Sequence, residues 1–524
     1  MRWTTKAAPI LTIVGCLSLA HAGCGGAGTR APTSAATDAA QSDLSGWHYT
    51  IRVDPRLTRL DASVCFDGEP PPALVPGRPE AAHLVLRAEL REGSDSRRLT
   101  VENGRIDLDG ADEDACVRYL VDLDGAASAR FGGTMASRSG TDLMASPGIW
   151  LWRPPRIAPT ARVRARFVLP PGMRVSVPWP REGRTYRLDE SAFAFVAYAA
   201  FGFFDVERID VPGATLEVAR LDGPSALSAE GLRRWIRAAG TAEASLYGRF
   251  PVSRAQIVVL PTGASDGNGP VPFGIVGRGG GASIALLLAA DATDDEVATD
   301  WVAVHEMTHL AMPYVRREDA WLSEGVATYY QEVLRARADM RAPLEAWHAL
   351  DEGFRRGASD GTGRALASES ESVFRTGAFD RVYWGGAAFA LAADVELRSR
   401  SGRQESLDTV LERLSRCCLS PTREWTGPEL LAKMDELAGH DVFRRLARRT
   451  LRSTSFPRVT ATYDLLRLRR TDDGIDLVEG SAVSSIRDAI MAPPLALQRV
   501  RSAARRSRQD AASDWGDLSR ESEE

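Results

Sequence analysis

The chain has 524 residues, which is enough for two or more domains with separate hydrophobic cores. Hydrophobic residues make up 44% of it and charged residues 26%, and the formal net charge at pH 7 is −5. This balance is typical of a globular protein. It gives no reason to expect a nucleic acid or an anionic membrane surface as a partner.

The first 24 residues have the pattern of a segment that directs export. Arg2 and Lys6 supply positive charge, and the apolar stretch of residues 7–20 is shorter than a membrane-spanning helix. We therefore predict a signal peptide over residues 1–24. The protein is then expected in the cell envelope, on the periplasmic or outer-surface side.

The cleavage site of this segment has more than one interpretation. Ala20-His21-Ala22 fits an ordinary signal peptidase, whereas Ala22-Gly23-Cys24 resembles a lipoprotein box in which Cys24 is lipidated. A second box that ends at Cys16 leaves only a very short apolar stretch. Residues 25–45 are rich in Gly, Ala, Ser and Thr, as in a flexible linker. This favours Cys24 as a lipid anchor and as the only contact with a membrane.

Residues 46–219 contain short β-type runs separated by turn residues, without a helix of convincing length. The clearest runs are residues 49–53, 84–88, 119–123 and 163–168. Asp109-Gly110 and Asp124-Gly125 predict tight turns. The region is therefore predicted to be a β-sandwich-like N-terminal domain.

The cysteines outside the signal peptide lie in two places. Cys65 and Cys116 both belong to the β-rich region, and in an oxidising compartment a disulfide between them is the natural pairing. Cys417 and Cys418 are adjacent, so we expect that they do not readily bridge to each other. No C-x-x-C spacing occurs, which argues against a cysteine metal site.

From residue 220 the pattern changes to helices with two buried strands. The predicted elements are a capped helix over 228–247, a strand over 254–260, a glycine-rich loop over 263–281, a strand over 282–288 and helices from 293 to about 450. We assign residues 220–465 to a second domain. Residues 460–478 are predicted to form a hairpin with a turn at 472–474, residues 466–494 are assigned to a C-terminal hairpin or helix, and residues 495–524 to a disordered tail.

The second domain contains His305-Glu306-Met307-Thr308-His309, followed by Trp321-Leu322-Ser323-Glu324-Gly325. On a helix, residues i and i+4 share one face, so His305 and His309 point at one metal ion with Glu306 beside it. Glu324 reaches back from a second helix as the third ligand. One of four positions then stays open, as in catalytic zinc sites. A chance H-E-x-x-H is rare in a chain with 7 His, and a buried helix that carries these groups is costly unless they bind something.

With these motifs placed, the chain resembles the gluzincin metallopeptidases, in particular the glycyl aminopeptidase family and related exported proteins with a thermolysin-like domain. A third motif, Val382-Tyr383-Trp384-Gly385-Gly386, adds to the resemblance. It implies an α+β protein in which a β-sandwich-like domain precedes a thermolysin-like α/β plus helical domain. It also implies Zn2+ held by His305, His309 and Glu324.

The resemblance further implies roles for individual residues. Glu306 is expected to act as general base and acid, and Tyr383 to hydrogen-bond the oxyanion of the tetrahedral intermediate. Thr328, one turn after Glu324, is a candidate partner for a liganding histidine. The sequence thus predicts a zinc peptidase that acts on peptides or proteins. The alternative is an inactive protein of the same fold that serves as a surface binding protein or scaffold.

One departure from the family concerns the substrate's free amine. The aminopeptidases carry an acidic residue in the loop and strand before the metal helix, whereas residues 273–283 here contain no acid and do contain Arg278. The glycines among residues 273–283 allow a substrate backbone to pair along a strand edge. We therefore predict that a free N-terminus is not strongly required, unless Glu318 or Asp319 captures it.

Overall fold

The computed structural model describes residues 46–129, 136–265, 267, 269–420, 422–472, 474–478 and 484–492. The predicted signal peptide, the linker and the tail from residue 495 therefore lie outside the described residues.

In the described residues, the N-terminal part consists of short strands with two short helices. In chain order its strands are β1 (Gly46–Val53), β2 (Arg59–Asp67), β3 (Ala73–Leu74), β4 (Val85–Glu92), β5 (Asp95–Leu99), β6 (Val101–Glu102), β7 (Arg105–Asp107), β8 (Cys116–Asp122), β9 (Ala136–Ser139), β10 (Asp142–Ala145), β11 (Arg162–Val168), β12 (Arg174–Ser176), β13 (Arg181–Glu182), β14 (Thr185–Leu188) and β15 (Ala199–Gly202). Its helices are α1 (Leu123–Ser128) and α2 (Ser191–Ala194).

Twelve of these strands form two stacked sheets, which confirms the predicted β-sandwich-like domain, and β3, β7 and β6 form a small third sheet. The larger sheet has the order β13-β14-β11-β1-β2-β8-β4-β5, and the smaller has the order β12-β15-β10-β9. Alternation along each strand explains the packing. In β1, Trp47, Tyr49 and Ile51 are buried between the sheets, whereas His48 and Arg52 face solvent.

One of the two predicted turns is wrong. Asp109-Gly110 lies in a turn, but Asp124-Gly125 lies inside α1. Asp122 explains the difference, because its side chain accepts a hydrogen bond from the backbone N–H of Gly125 and so caps a helix.

A third layer is a five-stranded sheet in the order β16-β17-β18-β20-β19. Its strands are β16 (Val206–Val211), β17 (Ala214–Arg220), β18 (Arg254–Pro261), β19 (Phe273–Gly277) and β20 (Ala282–Leu288). β17, β18 and β20 are parallel to one another, and β16 and β19 pair antiparallel at the two edges. The domain boundary predicted between residues 219 and 220 falls within β17. The five-stranded sheet begins before this boundary, at Val206 in β16.

The five-stranded sheet joins the two halves of the molecule. One face packs on the small N-terminal sheet through Met144 and Ala200 against Val258 and Ala285. The other face packs on the helices. The layers therefore follow one another as eight-stranded sheet, four-stranded sheet, five-stranded sheet and helices.

Helices dominate the remainder, as predicted. They are α3 (Ala229–Ala244), α4 (Asp294–Ala298), α5 (Val302–His309), α6 (Ala320–Arg337), α7 (Pro343–Ser359), α8 (Leu366–Thr376), α9 (Phe379–Arg400), α10 (Leu407–Cys417), α11 (Gly427–Ala438), α12 (Val442–Arg452), α13 (Thr460–Leu466) and α14 (Ser484–Met491). Short strands β21 (Tyr314–Val315) and β22 (Glu424–Trp425) pair in parallel, and β23 (Leu468–Thr471) pairs with β24 (Gly474–Leu477) as a hairpin.

Two local predictions in this half need correction. The segment predicted as a glycine-rich loop over residues 263–281 contains edge strand β19. The hairpin predicted over 460–478 is shorter, because residues 460–466 form α13. Among the described residues, no helix is both long and apolar enough to cross a membrane.

Both cysteine pairs are bridged. The Cys65–Cys116 disulfide links β2 to β8, as predicted. The expectation for the adjacent pair is wrong, because Cys417 and Cys418 form a disulfide with each other. Cys417 ends α10, and Cys418 leaves the helical conformation with φ −134° and ψ 0°. The helix end therefore allows a bridge between neighbours that a regular helix does not.

Candidate metal centre

The two motif histidines lie on one face of α5. The carboxylate of Asp300 accepts a hydrogen bond of 2.8 Å from the backbone N–H of Val302 and so supports the start of the helix. The imidazole centroids of His305 and His309 are 5.0 Å apart, with an interplanar angle of 80°. Both side chains are buried, at 4% and 7% exposure.

Glu324 on α6 completes a three-residue cluster. Its Oε2 lies 3.2 Å from Nε2 of His305 and 3.4 Å from Nε2 of His309. The three ligand atoms all lie within 4.8 Å of one another. A tetrahedral zinc with bonds of about 2.0–2.1 Å has ligand atoms about 3.3–3.4 Å apart. The two distances from Glu324 are therefore those expected between corners of a zinc tetrahedron.

Charge interactions within the cluster favour a carboxylate beside two imidazoles. Burial acts to raise the pKa of Glu324, but the histidines outweigh it and hold the pKa well below its usual range. Burial acts to lower the pKa of His305, but hydrogen bonding to Glu324 and the charges of Glu306 and Glu324 raise it.

The remaining imidazole nitrogens have partners that orient the rings. Nδ1 of His305 lies 2.8 Å from Oε1 of Gln331, and Nδ1 of His309 lies 3.2 Å from Oγ of Ser323. If each Nδ1–H donates to its partner, each Nε2 keeps a lone pair directed into the cluster. The prediction that Thr328 has this role is wrong, because its buried hydroxyl has no hydrogen-bond partner among the described residues.

The amide of Gln331 is itself held in place. Its Nε2 donates a hydrogen bond of 3.1 Å to Glu332, whose carboxylate accepts further bonds from Arg335 and Arg341. This fixes which end of the amide faces His305. Sequence reasoning missed Gln331, although it lies seven residues after Glu324 and therefore on the same face of α6.

Glu306 lies against edge strand β19. A Cβ at Gly274 would lie 2.5 Å from Cγ of Glu306 and 2.8 Å from Cγ1 of Val302, so only glycine allows this strand to pack so closely on α5. Glu306 is 8% exposed, and burial raises the pKa of its carboxyl against the lowering effect of the two histidines. A carboxylate in this environment is a stronger base than one in water.

Tyr383 on α9 lies on the other side of the cluster. Its ring is stacked on that of His305, with centroids 6.3 Å apart and an interplanar angle of 14°. Burial, together with the charges of Glu324 and Glu306, raises the pKa of its hydroxyl, which therefore stays a proton donor. A Cβ at Gly386 would lie 2.0 Å from the carbonyl oxygen of Trp321, so the backbones of α6 and α9 touch here. This contact fixes Tyr383 relative to Glu324.

The cluster opens into a cleft of about 610 Å3. The cleft walls are the β19 edge, α5, α6, α9 and the segments around Tyr314 and Glu424. Among the described lining residues, the only acid beyond Glu306 and Glu324 is Glu424, which pairs with Arg316 at 3.6 Å. Neither Glu318 nor Asp319 lines the cleft.

Arg278 lines the same cleft at the end of the β19 edge. It donates hydrogen bonds to the carbonyl oxygens of His309 and Met312, at the C-terminal end of α5. Burial lowers the pKa of its guanidinium to about 10, so it remains charged at neutral pH. A substrate ammonium group would therefore meet a cation at this end of the strand.

Comparison with known proteins identifies the class of fold. The chain is similar in structure to an aminopeptidase N family protein from Idiomarina loihiensis, with a TM-score of 0.64 and 14% sequence identity, over 80% of this chain and 78% of that one. An M1 zinc metallopeptidase from Deinococcus radiodurans has a TM-score of 0.48 and 14% identity, over 79% and 94% of the two chains.

At this identity the comparison establishes the fold alone. The chain has the α+β fold of the aminopeptidase N family protein, which confirms the predicted fold class. No protein-family model matches the chain, and no curated protein matches it in sequence.

Proposed function

We propose that the protein is a zinc-dependent peptidase. The observation that carries the proposal is the convergence of two imidazole nitrogens and one carboxylate oxygen at tetrahedral spacing, beside a buried glutamate and at the floor of a cleft. The aminopeptidase N family fold supports it. A scaffold without activity would not need Glu306 or an intact ligand set, and no feature of the site favours that alternative.

His305, His309 and Glu324 are the residues that would hold zinc. The donor set fits this metal, since imidazole nitrogen and carboxylate oxygen are its usual ligands and their spacing here matches its geometry. When bound, zinc polarises a peptide carbonyl and lowers the pKa of a water molecule. Gln331 and Ser323 keep the two imidazoles oriented towards it.

Glu306 and Tyr383 would carry out the proton transfer and the charge stabilisation. Glu306 accepts a proton from the attacking water and then donates it to the amine that leaves. Tyr383 donates a hydrogen bond to the oxygen that becomes negatively charged as the carbonyl carbon turns tetrahedral. Both side chains line the cleft, on either side of the metal cluster.

The free edge of β19 is the proposed binding strand for the substrate backbone. β19 pairs only with β20 among the described strands, so its other edge faces the cleft with unpaired peptide groups. An extended peptide pairs with such an edge through its own backbone. Among the described residues that line the cleft, the only carboxylates are Glu306 and Glu324 at the reaction centre and Glu424, which pairs with Arg316. Recognition would therefore not depend on the substrate's N-terminus.

The test is a Glu306→Gln variant assayed on a peptide library by mass spectrometry. We expect bound zinc to be retained and hydrolysis to fall by about 1,000-fold, since a general base contributes roughly 100- to 10,000-fold. Glu352→Gln, an exposed glutamate on α7, is the matched control and should cleave as the wild type does. Unchanged hydrolysis in the Glu306→Gln variant would reject the proposed mechanism.

We also propose that the protein is exported and anchored through Cys24. Disulfides persist in oxidising compartments, and the Cys65–Cys116 and Cys417–Cys418 bridges are in keeping with export. The test is the mass of the N-terminal peptide of the processed chain. A diacylglyceryl-modified Cys24 supports the anchor, whereas a terminus at Gly23 or an unprocessed chain argues against it.

A further inference from the structure

The solvent-facing side of the eight-stranded sheet carries an unusual concentration of arginine. The strand register places successive side chains of this side in rows: Arg187, Arg164, His48, Cys65, Cys116 and Arg91 form one row, and Arg166, Thr50, Ser63, Arg118, Glu89 and Arg98 form the next. Arg52 and Arg87 lie on the same side of the sheet in the row that follows these two, and Arg162 lies on this side at the start of β11. We call this surface the arginine face, defined by Arg52, Arg87, Arg91, Arg98, Arg118, Arg162, Arg164, Arg166 and Arg187.

The acids of the same side do not neutralise it. Five carboxylates lie on this side of the sheet: Asp61, Asp67, Glu89, Asp122 and Glu182. Their ion pairs go to Arg87, Arg91, Arg118, Arg164, Arg187 and His48. Within the described structure, no carboxylate lies within the 4.0 Å ion-pair distance of Arg52, Arg98, Arg162 or Arg166. The face therefore has a net positive charge, although the whole chain has a formal charge of −5.

Part of the arginine face is a depression of about 800 Å3. Its walls carry the side chains of Arg162, Arg164 and Arg166, with the hydroxyls of Thr50 and Thr185 beside them. Guanidinium groups bind phosphate oxygens through paired hydrogen bonds, and hydroxyls donate to the same oxygens. The chemistry of this surface thus suits phosphate groups.

The position of the face in the molecule indicates which phosphates it meets. The eight-stranded sheet is the outermost layer, and two further sheets separate it from the metal cluster. β1 begins at Gly46, which pairs with Arg162, so the preceding chain joins the described structure at one end of the arginine face. Only the 21 residues 25–45 separate Gly46 from Cys24, the proposed anchor.

We propose that the arginine face rests on the phosphate layer of an anionic phospholipid membrane. Eight strands at about 4.8 Å spacing give a surface roughly 34 Å wide, which is broad enough to contact many headgroups at once. Each arginine near such a surface adds to binding, and the sum decays over a Debye length. In this orientation the cleft lies on the far side of the β-layers from the lipid. The proposal goes beyond the peptidase function and does not depend on it.

The test measures partitioning of the full chain into vesicles by co-sedimentation. The probes are vesicles of phosphatidylglycerol with phosphatidylcholine and vesicles of phosphatidylcholine alone. We expect at least about tenfold stronger partitioning into the anionic vesicles at about 0.1 M salt, and its loss at about 0.5 M salt. A variant with Arg52→Glu, Arg162→Glu and Arg166→Glu should lose that preference by at least about tenfold.

The control variant makes the same change in net charge elsewhere. It combines Arg237→Glu, Arg375→Glu and Arg448→Glu, which are exposed and distant from the arginine face. It should keep the preference for anionic vesicles, and a milder set of Gln substitutions at Arg52, Arg162 and Arg166 should weaken it to an intermediate degree. The residues before Gly46 are common to all variants, so their own contribution cancels.

Three outcomes would overturn the proposal. The first is equal partitioning into anionic and neutral vesicles. The second is an equal loss in the control variant, which would show that overall charge, not the arginine face, is responsible. The third is preferential binding to a soluble sulfated polysaccharide that vesicles do not displace, which would replace lipid as the partner.

Discussion

The metal centre and the arginine face both depend on ionisable side chains, but these side chains are buried in one region and exposed in the other. At the metal centre, His305, His309 and Glu306 are less than 9% exposed, and partners fix the orientation of both imidazoles. On the arginine face, Arg52, Arg162 and Arg166 are exposed, and none of the described carboxylates forms an ion pair with them. Burial makes the position of each charge decisive, whereas exposed charges act through their sum. Substitutions should therefore have large individual effects in one region and small ones in the other.

Tyr383→Phe should have the largest effect among the predictions made from this contrast. Loss of one hydrogen bond to a developing oxyanion lowers kcat by about 100-fold. Because the ring and its stacking on His305 remain, zinc content and KM should change little. Tyr186→Phe in the N-terminal sheet is the control. A kcat within about twofold of wild type for Tyr383→Phe would remove that residue from the mechanism.

Gln331→Ala tests whether the hydrogen-bond partner of His305 affects zinc binding. Without the amide acceptor, His305 loses the partner that orients it, and zinc affinity should fall by about 10- to 100-fold. Competition with a chelator measures this. Gln404→Ala, on a loop after α9, is the matched control. Equal affinities in both variants would mean that packing alone orients the imidazole.

Glu243 shows the cost of burial without a charged partner. It lies behind α5, the helix that carries His305 and His309, and burial there raises the pKa of its carboxyl to about 8. The hydroxyl of Thr308 donates a hydrogen bond to this carboxyl, which acts to lower the pKa. Between about pH 4.5 and pH 8 the unfolded chain has released this proton and the folded chain has kept it. This side chain should therefore make the free energy of unfolding fall as pH rises through that window.

Glu243→Gln should remove this dependence, because an amide does not titrate. The variant should gain stability relative to wild type between pH 5 and pH 8, by up to a few kcal/mol, as measured by denaturant unfolding at each pH. The control is Glu352→Gln, whose glutamate is exposed on α7. A constant difference between Glu243→Gln and wild type over this range would show that Glu243 is ionised in the folded protein.

Acetylation of a peptide substrate's N-terminus should have a small effect. Among the described residues that line the cleft, the only carboxylate besides Glu306 and Glu324 is Glu424, which pairs with Arg316, and Arg278 lies at the end of β19. We expect kcat/KM to change by less than about tenfold, or roughly 1.4 kcal/mol. A loss of about 100-fold or more would mean that a carboxylate captures the amine and that the protein is an aminopeptidase.

The smallest effect is expected from the arginine face. The triple variant at Arg52, Arg162 and Arg166 should hydrolyse a soluble peptide within about twofold of wild type, since exposed substitutions far from the cleft seldom disturb a fold. A large loss of kcat/KM would contradict the separation of the two regions and would indicate long-range electrostatic steering of the substrate.

The sequence predicted that His305, His309 and Glu324 lie together, because short motifs carry the signal for these positions. The i, i+4 spacing of His305 and His309 fixes their common face, and the strands at 254–260 and 282–288 are continuous apolar runs. Strand β19 was missed, because its glycines resemble a loop unless the partner strand β20 and the metal helix are known.

Features that depend on tertiary contacts were beyond sequence reasoning. Thr328 and Gln331 both lie near Glu324 in sequence, and only the packing of α6 on α5 decides that Gln331 faces His305. The sequence analysis also missed the arginine face. It considered only the net charge of the whole chain, whereas the strands that bring these arginines together, such as β1 and β11, are far apart in sequence. The Cys417–Cys418 bridge depends on how α10 ends, which spacing alone does not determine.

The most direct measurement is the zinc content of the purified chain after zinc loading and dialysis. The account predicts one zinc per chain for the wild type, and strongly reduced zinc for Glu324→Ala and His309→Ala. The triple arginine variant should retain one zinc, which controls for handling. A wild-type chain that holds no zinc, or a Glu324→Ala variant that binds it with unchanged affinity, would contradict the proposed metal centre.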